Sequence, residues 1–433
     1  MRSLLTVLPV ASAIALVLHA ATPASAQSAQ GSRVFRGLFG PTEKEQVRPR
    51  QLDVTWSLYN AADDNSFLTT DSDILDQTLQ TGRVYSGATI SMTYTRRPPR
   101  RLMSFSATSA ARYYPALHQI VSTRYGGGAS LDLLPARDWR VQWSGNASYS
   151  PYYEAVLTSA APALATVDVP VSSADYAAAK RHSMLYGSYL AVSHAYSERA
   201  VLTLNYAARY TQFFDGADLN RQRGGAQFNY TFAKDLTLRL GYAYGISTTG
   251  VPSVPALRNN DIDAGVNYGK TFSPSHRTSF GFSTGSTIVS AEDGRHFRIT
   301  GSGHLTRRLS PRWTAQLLYD RGLQVPDGAT RPFFADSIGA TLSGYVNSRV
   351  SLRAQPAFAH GVVGFHGATN TYNSLTSSTR VEVALTHQLA LYAEHFYYRY
   401  QFANGDGLPP LLLTGMERQG VRAGLTLWTP LVR

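Results

Sequence analysis

Arginines and carboxylates recur at two-residue spacing inside otherwise apolar stretches of this chain, so any chemistry must be sought on one face of a strand. The stretch "WRVQWSGNASYSP" (139–151) shows the pattern. Trp139, Val141, Trp143, Ala147 and Tyr149 alternate with Arg140, Gln142, Ser144, Asn146 and Ser148. A period of two places the two sets on opposite faces of a β-strand. The same parity, read through every comparable stretch, puts Arg112, Arg124, Arg140, Arg181, Arg209, Arg223, Arg239, Arg298, Arg353, Arg380 and Arg422 on the polar face. Asp53, Asp132, Asp261, Asp263, Asp320, Glu382 and Glu394 share that face. Eleven cations against seven acids leave a surplus of four positive groups. Arginines lining a water-filled pore favour anions. Cross-strand pairing with the acids would instead stiffen the wall and leave little net field. The composition implies some of each.

Other candidate chemistry is sparser. The histidines are scattered, and only His304, beside Ser302, falls on the polar parity of a strand interior. A hydrolase needs a nucleophile, a base and an orienting group together. Proximity on one strand face is thin support, so no catalytic residue is assigned and the chain is not expected to be an enzyme. Asp63, Asp64, Asp71, Asp73 and Asp76 crowd a connection at 60–82. Clustered carboxylates can hold calcium or join divalent bridges between anionic lipid heads, but this spacing matches no calcium loop. No metal and no cofactor are expected. Tyr114, Tyr152 and Tyr398 fall on the inward parity, where aromatic rings serve either as rim packing or as stacking surfaces for sugars.

The elements that hold these residues are strands. "LDVTWSLY" (52–59), "AVLTLNYAARY" (200–210), "LTLRLGYAYG" (236–245) and "GVRAGLTLW" (420–428) each alternate apolar and polar positions. Short connections such as "RRPPRR" (96–101), "YSER" (196–199) and "RRLSPR" (307–312) alternate with longer ones near 60–82, 114–122, 154–180, 213–222, 246–259, 290–296, 322–336, 361–371 and 402–417. Nine long loops and eight short turns join about eighteen strands, with sixteen as the lower count. The long connection 154–180 is rather apolar, and it either folds into the lumen or lids the surface. Only 16% of residues are charged, against roughly 25% in soluble domains. The 26 tyrosines and 35 glycines suit strands and turns. Absence of cysteine removes disulfides and thiolate metal sites.

The N-terminus assigns the compartment. Met1-Arg2, an apolar run from Leu4 to Leu18 and the small residues Ala24-Ser25-Ala26 read as a signal peptide over 1–26. A secreted chain argues against nucleic acid as the match for the net charge of +12. Residues 27–50 are basic, broken by Gly and Pro, and without period. They read as a periplasmic N-terminal segment whose "RVFRGLF" is either a leader or a docking motif for a periplasmic partner.

Residues 51–433 resemble a bacterial outer-membrane β-barrel protein of the porin type. The resemblance rests on the alternation of short and long connections and on repeated strand–turn units such as "AKDLTLRLGY" (233–242) and "SPRWTAQLLY" (310–319). It implies an all-β fold, a transmembrane antiparallel up-and-down β-barrel with short periplasmic turns and long extracellular loops. It also implies a bacterial outer membrane, with lipid and lipopolysaccharide as surroundings. Such barrels commonly end in an aromatic residue, whereas this chain ends "LTLWTPLVR" with Trp428 inside the last strand. No segment large enough to plug the lumen precedes the first strand, unlike the 22-stranded transporters. Two functions arise as expectations. One is passive passage of small anionic or sugar-like solutes through an arginine-rich lumen. The other is the barrel of a polysaccharide-export or secretion assembly, docking a periplasmic partner through 27–50.

Overall fold

The computed structural model describes residues 49–64, 84–115, 119–154, 177–214, 218–233, 235–250, 254–273, 276–291, 294–326, 331–365, 370–405, 408 and 414–432. The expected signal peptide, the segment up to residue 48 and the cores of the connections 60–82 and 154–180 lie outside them. Eighteen strands run in chain order: β1 (Arg50–Asp64), β2 (Val84–Arg96), β3 (Arg101–Tyr114), β4 (Gln119–Leu133), β5 (Trp139–Glu154), β6 (Ala177–Ala195), β7 (Ala200–Phe213), β8 (Leu219–Ala233) and β9 (Leu236–Thr249). The second half comprises β10 (Leu257–Ser273), β11 (His276–Ala291), β12 (Gly294–Ser310), β13 (Trp313–Gln324), β14 (Phe333–Tyr345), β15 (Val350–Val363), β16 (Thr371–Ala384), β17 (Leu389–Phe402) and β18 (Gly415–Val432). Each pairs antiparallel with its neighbours in sequence, and β1 closes the ring on β18. The count is therefore eighteen, and no edge strand remains.

Closure explains why these sequences make strands here. In lipid every backbone N–H and C=O must find an internal partner, and a closed sheet supplies them all. Period-two alternation then sorts the side chains. Trp56 and Leu58 on β1 lie beside Ile90 and Ala88 on β2 and beside Leu427 and Leu425 on β18. The outward positions stay uncovered: Leu58 is 61% exposed, Leu240 59% and Ile299 60%. Large apolar side chains left open all round a closed sheet define a membrane-spanning barrel. No helix among the described residues is long and apolar enough to cross a membrane; the strands do so. In the opening stretch, Trp139 and Trp143 face outward. Arg140 and Gln142 face inward, where both reach Asp132.

The alternation of long and short connections has an exception. The expected long connection near 290–296 is a two-residue link, 292–293, because β11 and β12 stay paired as far as Ala291 and Gly294. Asp293-Gly294 is a hairpin signal, and Gly294 takes φ 127°, a backbone conformation that suits glycine. The strands are also longer than lipid requires. They run from 12 to 19 residues, where about 9–11 suffice to cross a bilayer at a tilt of about 45°. They therefore continue beyond the apolar belt, and the extension carries inward side chains of its own.

Sidedness gives a direct test. Phe282→Arg, outward and mid-strand on β11, is expected to cost about 2–4 kcal/mol of stability in a bilayer. Thr300→Lys, inward on the neighbouring β12, should cost far less. Urea-dependent folding into lipid vesicles measures both.

Candidate functional site: the lumen wall

The inward face is built strand by strand from the polar parity. Among residues with described side chains, the expected inward cations fall on it: Arg112 on β3, Arg124 on β4, Arg140 on β5, Arg209 on β7, Arg223 on β8, Arg239 on β9, Arg298 on β12, Arg353 on β15, Arg380 on β16 and Arg422 on β18. Arg181 belongs to β6, but its side chain lies outside the described residues. The inward acids share the face: Asp53 on β1, Asp132 on β4, Asp261 and Asp263 on β10, Asp320 on β13, Glu382 on β16 and Glu394 on β17.

Most of these acids are committed to arginine. Arg140 Nε donates to Asp132 Oδ1 at 3.0 Å, Arg223 meets Asp261 at 2.7 Å, and Arg239 Nε donates to Asp263 Oδ2 at 3.0 Å. Glu394 bridges two cations on adjacent strands. Its carboxylate accepts from Arg422 at 2.8 Å and lies 3.6 Å from Arg380, which also donates to Glu382 at 3.2 Å. The registers place Arg380, Glu394 and Arg422 in one row across β16, β17 and β18. Two acids differ. Asp53 accepts from Gln51 within β1. Asp320 faces Ser302 across the β12–β13 pairing, without an ion pair among the described residues. The cancelling arrangement therefore governs most of the wall. Arg353 stands directly opposite Arg380 on β16 with no carboxylate partner among the described residues.

Three of the inward arginines also lie over rings. Arg380 sits 4.0 Å from the centroid of Tyr392, Arg112 4.5 Å from that of Tyr85, and Arg422 5.6 Å from that of Tyr59. Tyr59 and Tyr85 meet edge to face at 6.2 Å, and Ser57 Oγ donates to Tyr392 Oη at 3.2 Å. Inward glycines let these rings lie flat on the wall. A Cβ at Gly87 would collide with the Tyr59 ring, and one at Gly420 would collide with the Phe396 ring.

Three functional features escape the sequence reading. Asp63 is not part of a loop cluster: it is the penultimate residue of β1, on the inward face, and is buried against Arg418 of β18, whose Nε donates to it at 3.2 Å. That removes it from any calcium-binding group, and Asp71, Asp73 and Asp76 lie outside the described residues. Arg221 is an inward cation within the stretch 213–222 that reads as a connection, and Arg418 is one just past the connection 402–417, before the strand expected from Gly420. Continuing the two-residue parity outward from Arg422 and Arg223 reaches both, so the signal exists in the sequence. The third feature is a buried aromatic cluster at the long-loop end. Phe333, Tyr372, Tyr398 and Tyr400 are 0% exposed, and Phe213, Phe402 and Met416 join them with Ala335, Ala359 and Val363. Tyr398 faces inward as expected, but its ring and that of Tyr400 are covered, so neither is an open stacking surface for a sugar. The side chains of Tyr114 and Tyr152 are outside the described residues.

The single candidate for catalysis does not assemble. Ser302 Oγ shares a hydrogen bond of 2.7 Å with Ser283 Oγ, while His304 lies over Gly281. Neither side chain bonds the other among the described residues. No group of three or more metal-ligating side chains occurs among them either.

No family model matches the chain, and no curated protein matches it in sequence. Solved structures do. Pseudomonas aeruginosa OccK11 (OpdR) is 12% identical, with a TM-score of 0.45 over 88% of this chain and 96% of that one. Pseudomonas aeruginosa OccK2 (OpdF), in complex with glucuronate, is 8% identical, with a TM-score of 0.46 over 88% and 98%. Acinetobacter baumannii OccAB4 is 12% identical, with a TM-score of 0.43 over 88% and 98%. At this distance they assign no solute and no residue role to the chain.

Glu394→Gln tests the bridging pair. Removing charge from two guanidinium contacts should lower stability by about 1.5–3 kcal/mol. It should also move the reversal potential in a salt gradient toward anions, because Arg380 and Arg422 lose their counter-charge.

Proposed function

We propose that this chain is a channel of the bacterial outer membrane through which small anionic or sugar-like solutes pass without energy input. One observation carries the reading: a closed ring of eighteen strands is apolar outside and polar inside, and the inward cations outnumber the inward acids. The outside needs lipid. The inside needs water or solute, since eighteen strands enclose more space than their own side chains fill. In this orientation the short turns face the periplasm and the long loops face outward.

The lumen chemistry supports a mild anion preference rather than a strong one. Arg140, Arg223, Arg239 and Arg422 each hold a carboxylate, so they shape the wall more than the field. Arg353 is the cation best placed to meet a passing anion, being exposed on the inward face beside Arg380. Tyr59, Tyr85 and Tyr392, under their arginines, add apolar faces to the same wall.

Planar-bilayer recording in a salt gradient tests the proposal. Anion-selective conductance is expected, and Arg353→Glu should reduce the anion-to-cation permeability ratio while leaving the barrel folded. A cation-selective protein overturns it, as does one that is electrically silent and passes no solute into liposomes. Liposome swelling with uncharged sugars tests the sugar-like part separately.

A further inference from the structure

The buried aromatic cluster has members on opposite walls. Around the closed ring, β7 and β16 are nine strands apart in either direction, so they are diametrically opposed. Phe213, the last residue of β7, nevertheless packs at 4% exposure in a cluster otherwise drawn from β14 to β18 and from Leu408 between β17 and β18. An unobstructed ring of this size would be wide. Strand spacing of about 4.8 Å and a tilt near 40° give a diameter of about 35 Å at the backbone. A phenylalanine cannot span that, so side chains narrow the lumen at this end, Leu408 of the β17–β18 connection among them.

Two further contacts join parts of the wall three or more strands apart, both at the same end. The Arg221 guanidinium of β8 donates to the carbonyl of Val325, just past β13. Phe365, between β15 and β16, stacks on His296 of β12 with centroids 4.5 Å apart and planes within 8°. Among the described residues, the contacts that reach across three or more strands thus lie at the long-loop mouth.

Resting on the channel reading above, we infer that this apolar bridge is the constriction of the channel and that Phe213 sets its width. The asymmetry of the cluster assigns that role. On the far wall the rings hold one another: Phe333 and Tyr372 lie 5.3 Å apart, Tyr372 and Phe402 5.4 Å, Tyr400 and Phe402 5.7 Å. Among the described residues Phe213 is the sole member from the β7 side. Removing it breaks the bridge and leaves both walls intact. An apolar constriction excludes ions by failing to stay wet. Passage here therefore favours solutes with an apolar face over strongly hydrated inorganic anions such as sulfate. Phe213, not the arginine wall, enforces that choice.

The test compares single-channel conductance of the wild-type protein and Phe213→Ala in planar bilayers with chloride and then sulfate as the anion. Phe213→Ala should raise chloride conductance severalfold and sulfate conductance by a larger factor. If Phe213→Ala fails to fold, Phe213→Cys takes its place. The chain has no cysteine, so a charged thiol reagent acts at that position alone and should change the current. Wild-type conduction with unchanged currents in the variants overturns the inference and leaves the channel reading standing. Silence of both the wild type and Phe213→Ala overturns the inference, and the channel reading with it where no solute passes into liposomes either. A silent wild type with a conducting Phe213→Ala supports the inference in its strongest form.

Discussion

Every other property of this molecule derives from the demand that a backbone in hydrocarbon satisfy all of its own hydrogen bonds. An open sheet of eighteen strands would leave two edges of unpaired N–H and C=O groups in lipid, each costing several kcal/mol. The pairing of β1 with β18, which runs from Leu52 with Val432, through a register shift after Leu52, to Asp64 with Gln419, removes both edges. Once the ring is closed, each strand has two environments and no others. A one-residue slip would exchange them, burying Arg422 in lipid and turning Val421 inward. Register is therefore held by the same alternation that sorts the side chains between lipid and lumen.

The inward arginines illustrate how closure limits electrostatics. A lumen wall is half desolvated, and isolated guanidinium groups there cost free energy. Pairing across one strand step offsets that cost. Arg140 reaches back to Asp132 on β4, Arg239 forward to Asp263 on β10, and Glu394 is shared by Arg380 and Arg422. These contacts run around the ring, perpendicular to the path of a solute. They stitch neighbouring strands and cancel charge locally, so a count of arginines overstates the field that a solute meets. What remains is set by exceptions to the pairing, and Arg353 opposite Arg380 is the clearest.

The barrel and most of its inward residues are legible in the sequence because period two is a local signal. "WRVQWSGNASYSP" reveals both faces of β5 without any knowledge of its neighbours. Residues beyond the membrane belt are harder to read, for a physical reason. There neither face meets lipid, so the apolar set loses its contrast while the strand continues. "LNRQRGG" and "GMERQG" look like loops by composition, yet they are the paired starts of β8 and β18, and they carry Arg221 and Arg418. Asp63 is hidden in the same way, near the end of "NAADD" on β1. Pairing partners are harder still, because Asp63 meets Arg418 only through closure of the ring, 355 residues away.

The two halves of the lumen solve the same packing problem with different chemistry. Within the membrane belt, lipid pressure and backbone pairing hold the wall, and the interior is free to stay polar and wet. Above the belt the strands stand without lipid around them, and outward apolar contacts no longer favour a closed cylinder. Aromatic packing across the lumen replaces them: Phe333, Tyr372, Tyr400 and Phe402 bury their rings against each other, and Phe213 ties the opposite wall to them. Burying an aromatic side chain is worth about 1.5–3 kcal/mol. A handful of rings can therefore hold strand ends that would otherwise fray. Narrowing of the mouth is the geometric consequence of stabilising it from within. Below this end, the flat rings of Tyr59 and Tyr85, accommodated by Gly87, leave the wall thin.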